Sequence, residues 1–319
     1  MSRFGYGLTE LVQRLWHSNL ESSQLGLNLN EINAVGDSGP RLLCVVAHPD
    51  DETFGSGSTL IKYAAEGVSV YTACATRGDV GEIADRSDAT PETLSAVREK
   101  EYYGAGKVMG VKQSILYGYR DSGMAGTPDN DHPNAFIRVP MEQVVARIVD
   151  TIRQLKPHVV FTFDEGGGYG HPDHIHASEA TKLAYFAAGD PNYSSSDLEP
   201  WMPSKLYYHG FPRSQMKRFF EILAENDPES DLAKLDPNEM GVPDESLTTE
   251  LDISAYAATR REAIEVHQTQ YSPLDRMPTP ELEADFLNTD FFIRVDPPIE
   301  DGESGIIEND LFAGLAFED

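Results

Sequence analysis

The 319-residue sequence is poor in basic residues, with 25 lysines and arginines against 53 acids and a formal net charge of −28. A surface this negative repels nucleic acid phosphates and anionic lipid headgroups. We therefore expect neither a nucleic acid nor a membrane as a partner. Much of the acid excess lies in 225–250 and near the C-terminus, in segments typical of solvated loops.

Cysteines, long apolar runs and an export signal are also scarce or missing. The two cysteines, Cys44 and Cys74, lie in separate apolar runs and form no Cys-x-x-Cys pair, so a disulfide framework is excluded. No apolar run approaches the roughly 20 residues that span a bilayer. The N-terminus lacks the basic start and apolar core of a secretory signal. These features predict a cytoplasmic protein, and they leave homo-oligomerisation open.

Motifs for a serine nucleophile and for nucleotide binding are missing or incomplete as well. The sequence has no Gly-x-Ser-x-Gly elbow and no phosphate-binding Gly-Lys-Ser/Thr. Gly55–Leu60 is similar to a dinucleotide fingerprint, but Leu60 stands where Gly or Ala is needed. Because the preceding loop is acidic and would repel pyrophosphate, we do not predict nucleotide binding.

From Arg41 onward, apolar runs rich in β-branched residues alternate with helical patterns. The pattern predicts strands at 42–47, 68–75, 114–117, 158–163 and 205–209. It predicts helices at 57–66, 91–109, 140–155, 174–188, 214–224 and 254–267. This alternation indicates an α/β fold with a mainly parallel sheet and right-handed crossovers.

We predict three parts in the chain. The first is an N-terminal helical extension, 1–40. The main domain covers 41–270 and includes two lid-like insertions, 190–203 and 225–249. A C-terminal extension, 271–319, is expected to pack on the same domain.

Two loops that follow predicted strands carry unusual residues. The first is Ala47-His48-Pro49-Asp50-Asp51-Glu52, and the second is the Gly-rich segment 164–174, which ends in His171-Pro172-Asp173-His174. Crowded carboxylates repel one another unless a cation or a proton holds them. Because ligands of open parallel sheets gather beyond the carboxyl ends of the strands, we expect one site built from both loops.

The residue types in these loops favour a catalytic metal ion. His48, Asp51 and one histidine of the second loop would supply two nitrogens and one oxygen, a set that suits zinc, with ferrous iron as an alternative. Such an ion lowers the pKa of a water molecule and makes it a nucleophile. Because Asp50 and Asp51 are adjacent, one can ligate while the other takes the proton of the water.

The remaining polar residues of the loops have several interpretations. One histidine of the second loop could ligate, and the other, kept protonated by Asp173, could donate to a leaving amine or to an oxyanion. Tyr169 could bring a hydroxyl to the substrate. Glu52 is either a partner that orients His48 or an acid that favours the helix dipole. The segment Arg120–Met124 could reach polyol hydroxyls or could be a salt-bridged loop.

Three motifs give the chain a resemblance to a known family: Ala47–Glu52, Thr76–Glu82 and Tyr169–His174. Together they resemble the PIG-L/LmbE family of metal-dependent N-acetylglucosamine deacetylases, over roughly 41–270. Flanking segments are similar to bacterial members that act in the mycothiol pathway, a deacetylase and a conjugate amidase. The resemblance implies a Rossmann-like three-layer domain that binds catalytic zinc.

The resemblance also implies roles for individual residues. The implied metal ligands are His48, Asp51 and His174. Asp50 would be the general base, and His171 would be the electrostatic or acid partner. Asp173 would orient His171, and Tyr169 would be a mobile tyrosine. The candidate substrate contacts are Arg77, Arg120 and Asp121.

The sequence therefore predicts a zinc-dependent hydrolase that removes an N-acetyl group from a GlcNAc-containing small molecule. The alternatives are an amidase that cleaves a thiol-sugar conjugate and a non-catalytic carbohydrate-binding module of the same fold.

Overall fold

The computed structural model describes residues 39–194, 196–226, 240–277, 279–299 and 305–317. These residues form a seven-stranded sheet between two helical layers. The strands are β1 Arg41–Val46, β2 Ser69–Thr76, β3 Gln113–Tyr119, β4 Val159–Phe163, β5 Lys205–His209, β6 Thr249–Asp252 and β7 Thr289–Asp296. The longer helices are α1 Asp51–Ala65, α2 Leu94–Val108, α3 Met141–Leu155, α4 Pro172–Ala188, α5 Arg213–Asn226, α6 Ala257–Ile264 and α7 Pro280–Asn288.

The strand order across the sheet is β3-β2-β1-β4-β5-β7-β6. Strands β3, β2, β1, β4 and β5 are parallel to one another, whereas β7 is antiparallel to both β5 and β6. The expected α/β fold, a three-layer domain with a mainly parallel sheet, is confirmed. The strand order reverses between β1 and β4, and in such sheets a crevice opens at that point beyond the carboxyl ends.

The central strand β1 is buried on both faces. All six of its residues are buried. Leu43 and Val45 join the core under α3 and α4, while Leu42 and Cys44 join the core under α1 and α2. Because successive side chains of a strand point to opposite faces, a strand between two helical layers needs an unbroken apolar run. Cys44 and Cys74 are free and buried.

Helix α1 begins at Asp51, well before the predicted start at Gly57. It is irregular at Ser56, where φ is −132° and ψ is 27°. The guanidinium of Arg260 donates to the carbonyl oxygen of Phe54 at 2.5 Å. An inserted side chain of this kind replaces helical hydrogen bonds at a kink. Arg260, which is distant in sequence, therefore supports the helix where its regular hydrogen bonds are interrupted near Ser56.

Two strands near the C-terminus depart from the predicted pattern. Strand β7 lies between β5 and β6, so residues 289–296 are part of the sheet rather than an extension packed against it. Strand β6 has only four residues, too few for a clear period-2 pattern. The other predicted domain limits stay predictions.

The described residues of the connection 190–203 lie at the amino ends of the strands. Trp201 donates its Nε1–H to the carbonyl oxygen of Pro157 at 2.7 Å, and its ring packs 5.6 Å from that of His158. Pro157 and His158 precede β4, so this segment is at the opposite edge of the sheet from the two predicted loops. Its position does not fit the predicted lid.

Two other predicted segments fall largely outside the described residues. The extension 1–40 falls on 1–38, and the insertion 225–249 falls mainly on 227–239. Among the residues that the structure describes, no helix has the length and apolar character needed to cross a membrane.

Candidate active site

The two predicted loops meet at the carboxyl ends of β1 and β4. His48 follows β1, Asp51 begins α1, and His174 lies in the first turn of α4. The Nδ1 atom of His48 is 3.1 Å from Nε2 of His174 and 3.4 Å from Oδ2 of Asp51. The Nε2 atom of His174 is 3.3 Å from Oδ1 of Asp51. The donor atoms of these three side chains therefore converge on one point.

The chemistry and spacing of the donors fit a divalent metal ion. Tetrahedral ligands about 2.1 Å from a zinc ion lie about 3.4 Å from one another, which is close to the spacing of this cluster. Two further sets of donor atoms lie within 4.8 Å of one another: those of His48, His171 and His174, and those of His48, Asp121 and Asp173. These histidines and acids could thus hold a metal ion.

Each of the two converging imidazoles is held through its other nitrogen. His174 Nδ1 is 3.1 Å from the carbonyl oxygen of Gly167. Because a carbonyl only accepts, Nδ1 carries the proton and Nε2 presents its lone pair to the cluster. Phe163 stacks on the His174 ring at 4.1 Å, and His48 Nε2 lies 3.2 Å from Oδ2 of Asp173. Hydrogen bonds of this kind fix the tautomer and orientation of metal-binding histidines.

Asp50 has a backbone conformation that is rare for a residue with a side chain, with φ 142° and ψ −26°. Such strain persists where surrounding contacts hold it in place, as at functional sites. The buried Arg98 supplies these contacts, because its Nη2 donates to the carbonyl oxygen of Pro49 at 3.0 Å and lies 3.1 Å from Oδ2 of Asp50. Burial raises the pKa of Asp50 to about 6, although the charge of Arg98 acts in the opposite direction. Asp50 can therefore exchange a proton close to neutral pH.

Glu52 fits neither interpretation offered by the sequence. Its Oε2 accepts the backbone N–H of Asp50 at 3.2 Å, and its Oε1 accepts the hydroxyl of Thr53 at 2.7 Å. Burial raises the pKa of Glu52 to about 8, so it carries little charge for the helix dipole at neutral pH. Glu52 therefore supports the strained peptide of Asp50 instead of orienting His48.

Asp173 pairs with His48 rather than with His171, which differs from the prediction. Its Oδ2 accepts the backbone N–H of Ser122 at 2.9 Å and lies 3.2 Å from His48 Nε2. His171 Nδ1 accepts the backbone N–H of Asp173 at 3.2 Å, which leaves the proton of His171 on Nε2. Burial and the neighbouring His48 and His174 lower the pKa of His171 to about 4. His171 is therefore a neutral hydrogen-bond donor, not the protonated acid expected from an Asp173 partner.

Tyr169 and Asp121 lie near the cluster but differ in exposure. The side chain of Tyr169 is 49% exposed, and its ring centroid is 5.0 Å from that of His174. Asp121 is buried, with Oδ1 3.6 Å from His48 Nε2. Tyr169 is placed to meet a ligand that enters from solvent, whereas Asp121 lies deep beside His48.

Arg77 and Arg120, the other predicted substrate contacts, are held in ion pairs. Arg77 Nη2 is 2.9 Å from Oε2 of Glu99. Arg120 Nη2 is 2.5 Å from Oδ1 of Asp129, and its Nη1 donates to the carbonyl oxygen of Asp121 at 2.9 Å. Because carboxylates already engage both guanidinium groups, their role toward a substrate stays a prediction.

Arg98 is a site residue that the sequence reasoning missed. It lies on α2 between Leu94 and Tyr102, four residues from each, and all three side chains are buried. A charged residue in the middle of a buried helical stripe is itself a signal, because burying a charge is costly unless it is paired. This spacing could have indicated Arg98 before the structure was known.

A cavity of about 300 Å³ beside the cluster was also not predicted. Its polar end is formed by Asp50, Asp51 and His174. Its aromatic wall combines side chains from distant parts of the chain: Phe54, Phe161, Phe163, Phe211 and Phe286. No local sequence pattern brings such residues together.

Comparison with known proteins identifies the family. Residues 43–185 match PIG-L, described as GlcNAc-PI de-N-acetylase. The chain is 37% identical over 294 residues to the 1D-myo-inositol 2-acetamido-2-deoxy-alpha-D-glucopyranoside deacetylase of Geodermatophilus obscurus, a match that covers 86% of this chain and 98% of that protein. The chain belongs to the PIG-L family. The predicted family and enzyme class, a hydrolase that cleaves amide bonds as an N-deacetylase, are confirmed.

Solved structures share the fold of this PIG-L protein. The N,N'-diacetylchitobiose deacetylase of Pyrococcus horikoshii matches with a TM-score of 0.57 and 21% identity, over 92% of this chain and 94% of that chain. The 4-carboxy-2-hydroxymuconate hydratase of Pseudomonas putida matches with a TM-score of 0.56 and 16% identity, over 83% of this chain and 100% of that chain. Because a hydratase and a deacetylase share this fold, the chemistry of the PIG-L protein has to be argued from its site.

Proposed function

We propose that this PIG-L protein is a zinc-dependent hydrolase that removes the N-acetyl group of a GlcNAc-containing small molecule. The observation that carries the proposal is the convergence of His48, Asp51 and His174 donor atoms within 3.1–3.4 Å, beside the carboxylate of Asp50. The name of the Geodermatophilus relative gives an inositol glycoside of N-acetylglucosamine as its substrate. We extend this substrate class to the present chain.

His48, Asp51 and His174 would hold the metal ion. When bound, a divalent cation polarises an amide carbonyl and lowers the pKa of a water molecule. Zinc suits two imidazoles and a carboxylate, and ferrous iron is the alternative because it accepts the same ligand types.

Asp50 is the general base in this proposal. A carboxyl with a pKa of about 6 is ionised at neutral pH and still basic enough to hold a proton during the reaction. Arg98 and Glu52 fix its side chain and its backbone N–H, respectively. Because the base is already in place, little reorganisation is needed at the moment of reaction.

Two groups are assigned to the amide oxygen as negative charge develops on it. His171 offers its Nε2–H as a neutral donor, and Tyr169 offers its hydroxyl from the solvent side. Asp173 acts indirectly, because it positions the His48 ring. Asp121, buried beside His48, is assigned to a sugar hydroxyl.

The reaction balances without a further reagent. The oxygen of water bonds to the carbonyl carbon, and the carbon–nitrogen bond breaks. Asp50 takes one proton from the water and returns it to the leaving amine. The products are acetate and the free amino sugar.

The proposed partner is therefore a small amino-sugar molecule. The net charge of −28 disfavours nucleic acid and anionic membrane surfaces. The cytoplasmic location and homo-oligomerisation stay predictions.

A substrate panel tests the proposal. The zinc-loaded protein is assayed with N-acetylglucosamine, its inositol glycoside and a thiol-sugar conjugate amide, and Asp50→Asn serves as the control. We expect acetate release, fastest from the inositol glycoside and slower by about 10²–10⁴-fold with the control. Faster cleavage of the conjugate would favour the amidase alternative. Bound zinc without hydrolysis of any compound would favour the non-catalytic binding module.

A further inference from the structure

The cavity beside the donor cluster is mainly apolar. It has a volume of about 300 Å³, and its polar end is formed by the proposed base and two of the proposed metal ligands. From there its wall consists largely of apolar side chains: Val46, Phe54, Phe161, Phe163, Phe211 and Phe286. The cavity therefore joins the proposed reaction centre to an aromatic pocket.

Two further ionisable side chains in the lining, those of Asp164 and His209, are already hydrogen-bonded or uncharged, respectively. The carboxylate of Asp164 already accepts the backbone N–H groups of Gly166 at 2.7 Å and Gly168 at 2.8 Å. His209 is buried, and this burial lowers the pKa of its ring, which is therefore neutral at physiological pH. Because most of the lining is apolar, a ligand in this cavity gains chiefly by burying apolar surface.

The two sides of the cluster differ in polarity. Among the described residues, the cavity lining contains none of the proposed sugar contacts Arg77, Arg120 and Asp121. The substituent on the carbonyl carbon lies next to the groups that act on the carbonyl. With the sugar on the polar side, that substituent points toward Asp51, His174 and the phenylalanines.

We propose that this cavity is an acyl subsite, and that the protein hydrolyses amino-sugar amides whose unbranched apolar acyl chain is longer than acetyl. The inference rests on the proposed function and names the acyl class of its substrate. A methyl group needs roughly the volume of one water molecule, about 30 Å³. A cavity of about 300 Å³ is several times larger than an acetyl methyl requires. Each further buried methylene is expected to raise kcat/KM about fourfold.

The experiment compares two series of compounds with the zinc-loaded enzyme. In the first series the sugar is constant and the acyl group is acetyl, propionyl, butyryl or hexanoyl. In the second the acetamide is constant and the glycosidic alkyl chain grows by the same steps. The inference predicts a rise in kcat/KM of about fourfold per methylene from acetyl to butyryl in the first series alone.

Two variants with opposite effects on the cavity separate its role from general destabilisation. A Cβ added at Gly55 would lie 3.7 Å from Cε1 of His209, an ordinary contact, so the backbone there accepts a side chain. The two further methyl groups of Gly55→Val narrow the cavity. Phe211→Ala widens it. We expect the hexanoyl-to-acetyl ratio of kcat/KM to fall at least tenfold in Gly55→Val and to rise in Phe211→Ala. Opposite shifts of one ratio cannot come from a loss of folded protein.

The outcomes distinguish this inference from the proposed function. Hydrolysis of acetyl compounds with a steady decline toward longer acyl chains would overturn the acyl subsite and leave the deacetylase function intact. A gain along the alkyl glycoside series instead would mean that the cavity holds the aglycone, and it would also overturn the inference. Failure to hydrolyse any member of either series would remove the proposed function itself.

Discussion

Arg98 holds both the backbone and the carboxylate of the loop that contains the proposed base. Its Nη2 lies 3.1 Å from Oδ2 of Asp50 and donates to the carbonyl oxygen of Pro49 at 3.0 Å. Asp50 has a φ of 142°, and Arg98 is buried beside it. The position of the base and its affinity for a proton therefore both depend on one buried guanidinium.

The pH dependence of kcat/KM should reveal the interaction between Asp50 and Arg98. Burial raises the pKa of Asp50 to about 6 while Arg98 lowers it, and a bound cation would lower it further. Because the base must be ionised, kcat/KM should fall with decreasing pH below a value no higher than about 6. Arg98→Gln removes the positive charge, so the acidic limb should move to higher pH, whereas Arg98→Lys should shift it less. An acidic limb at the same pH in Arg98→Gln would contradict the assignment of Asp50.

Asp50→Asn should separate catalysis from metal binding. Asn has nearly the same size and shape as Asp and can still accept from Arg98, so the strained loop is expected to keep its shape. Loss of a general base typically costs 10²–10⁴-fold in rate, while zinc content should stay near one equivalent. Acetate release and metal content are measured on the same sample. A variant that keeps most of its activity would rule out Asp50 as the base.

Asp173→Asn should weaken zinc binding although Asp173 is not a proposed ligand. The wild-type carboxylate accepts from Ser122 and contacts His48 Nε2, and removing such a partner typically costs 10–100-fold in metal affinity. Zinc affinity is measured by competition with a chelator. Glu165→Gln is the control, because Glu165 pairs with Lys182 at the surface. If the Asp173 carboxylate instead oriented only His171, the zinc affinity of Asp173→Asn would match that of the control.

Glu52 should make stability depend on pH. Its pKa is raised from 4.5 to about 8 in the folded protein, so its contribution is fully present below pH 4.5 and is lost as pH rises toward 8. Urea unfolding of metal-free protein should therefore show wild type losing stability relative to Glu52→Gln between pH 5 and pH 8. The exposed Glu245→Gln should show no such trend relative to wild type. A pH-independent difference for Glu52→Gln would mean that Glu52 ionises normally.

The sequence was most informative where chemistry is local. His48, Asp51 and His174 lie in short motifs at strand ends, and a parallel sheet brings such ends together, so their convergence could be predicted. The chemistry of adjacent acids gives Asp50 and Asp51 different roles, but the resemblance to the PIG-L family was needed to assign the base to Asp50 and the second-loop ligand to His174. The expectation of one shared site needed only strand assignment and the chemistry of the side chains.

The features that the sequence did not provide depend on contacts between distant residues. The pairing of Asp173 with His48 instead of His171 depends on how α4 docks against the first loop. The aromatic cavity needs Phe211 and Phe286 to reach the end of β4. The insertion of β7 between β5 and β6 requires antiparallel pairing of a segment whose neighbours in sequence show no strand pattern. No periodicity in the sequence encodes these arrangements.

Reconstitution with zinc tests the central claim most directly. Metal-free protein is titrated with zinc while acetate release from the inositol glycoside of N-acetylglucosamine is followed, with His174→Ala as the control. We expect activity to rise linearly and saturate at one equivalent, and the control to bind no zinc tightly and to release no acetate. Acetate release that does not depend on zinc, or one tightly bound zinc without acetate release, would contradict the account.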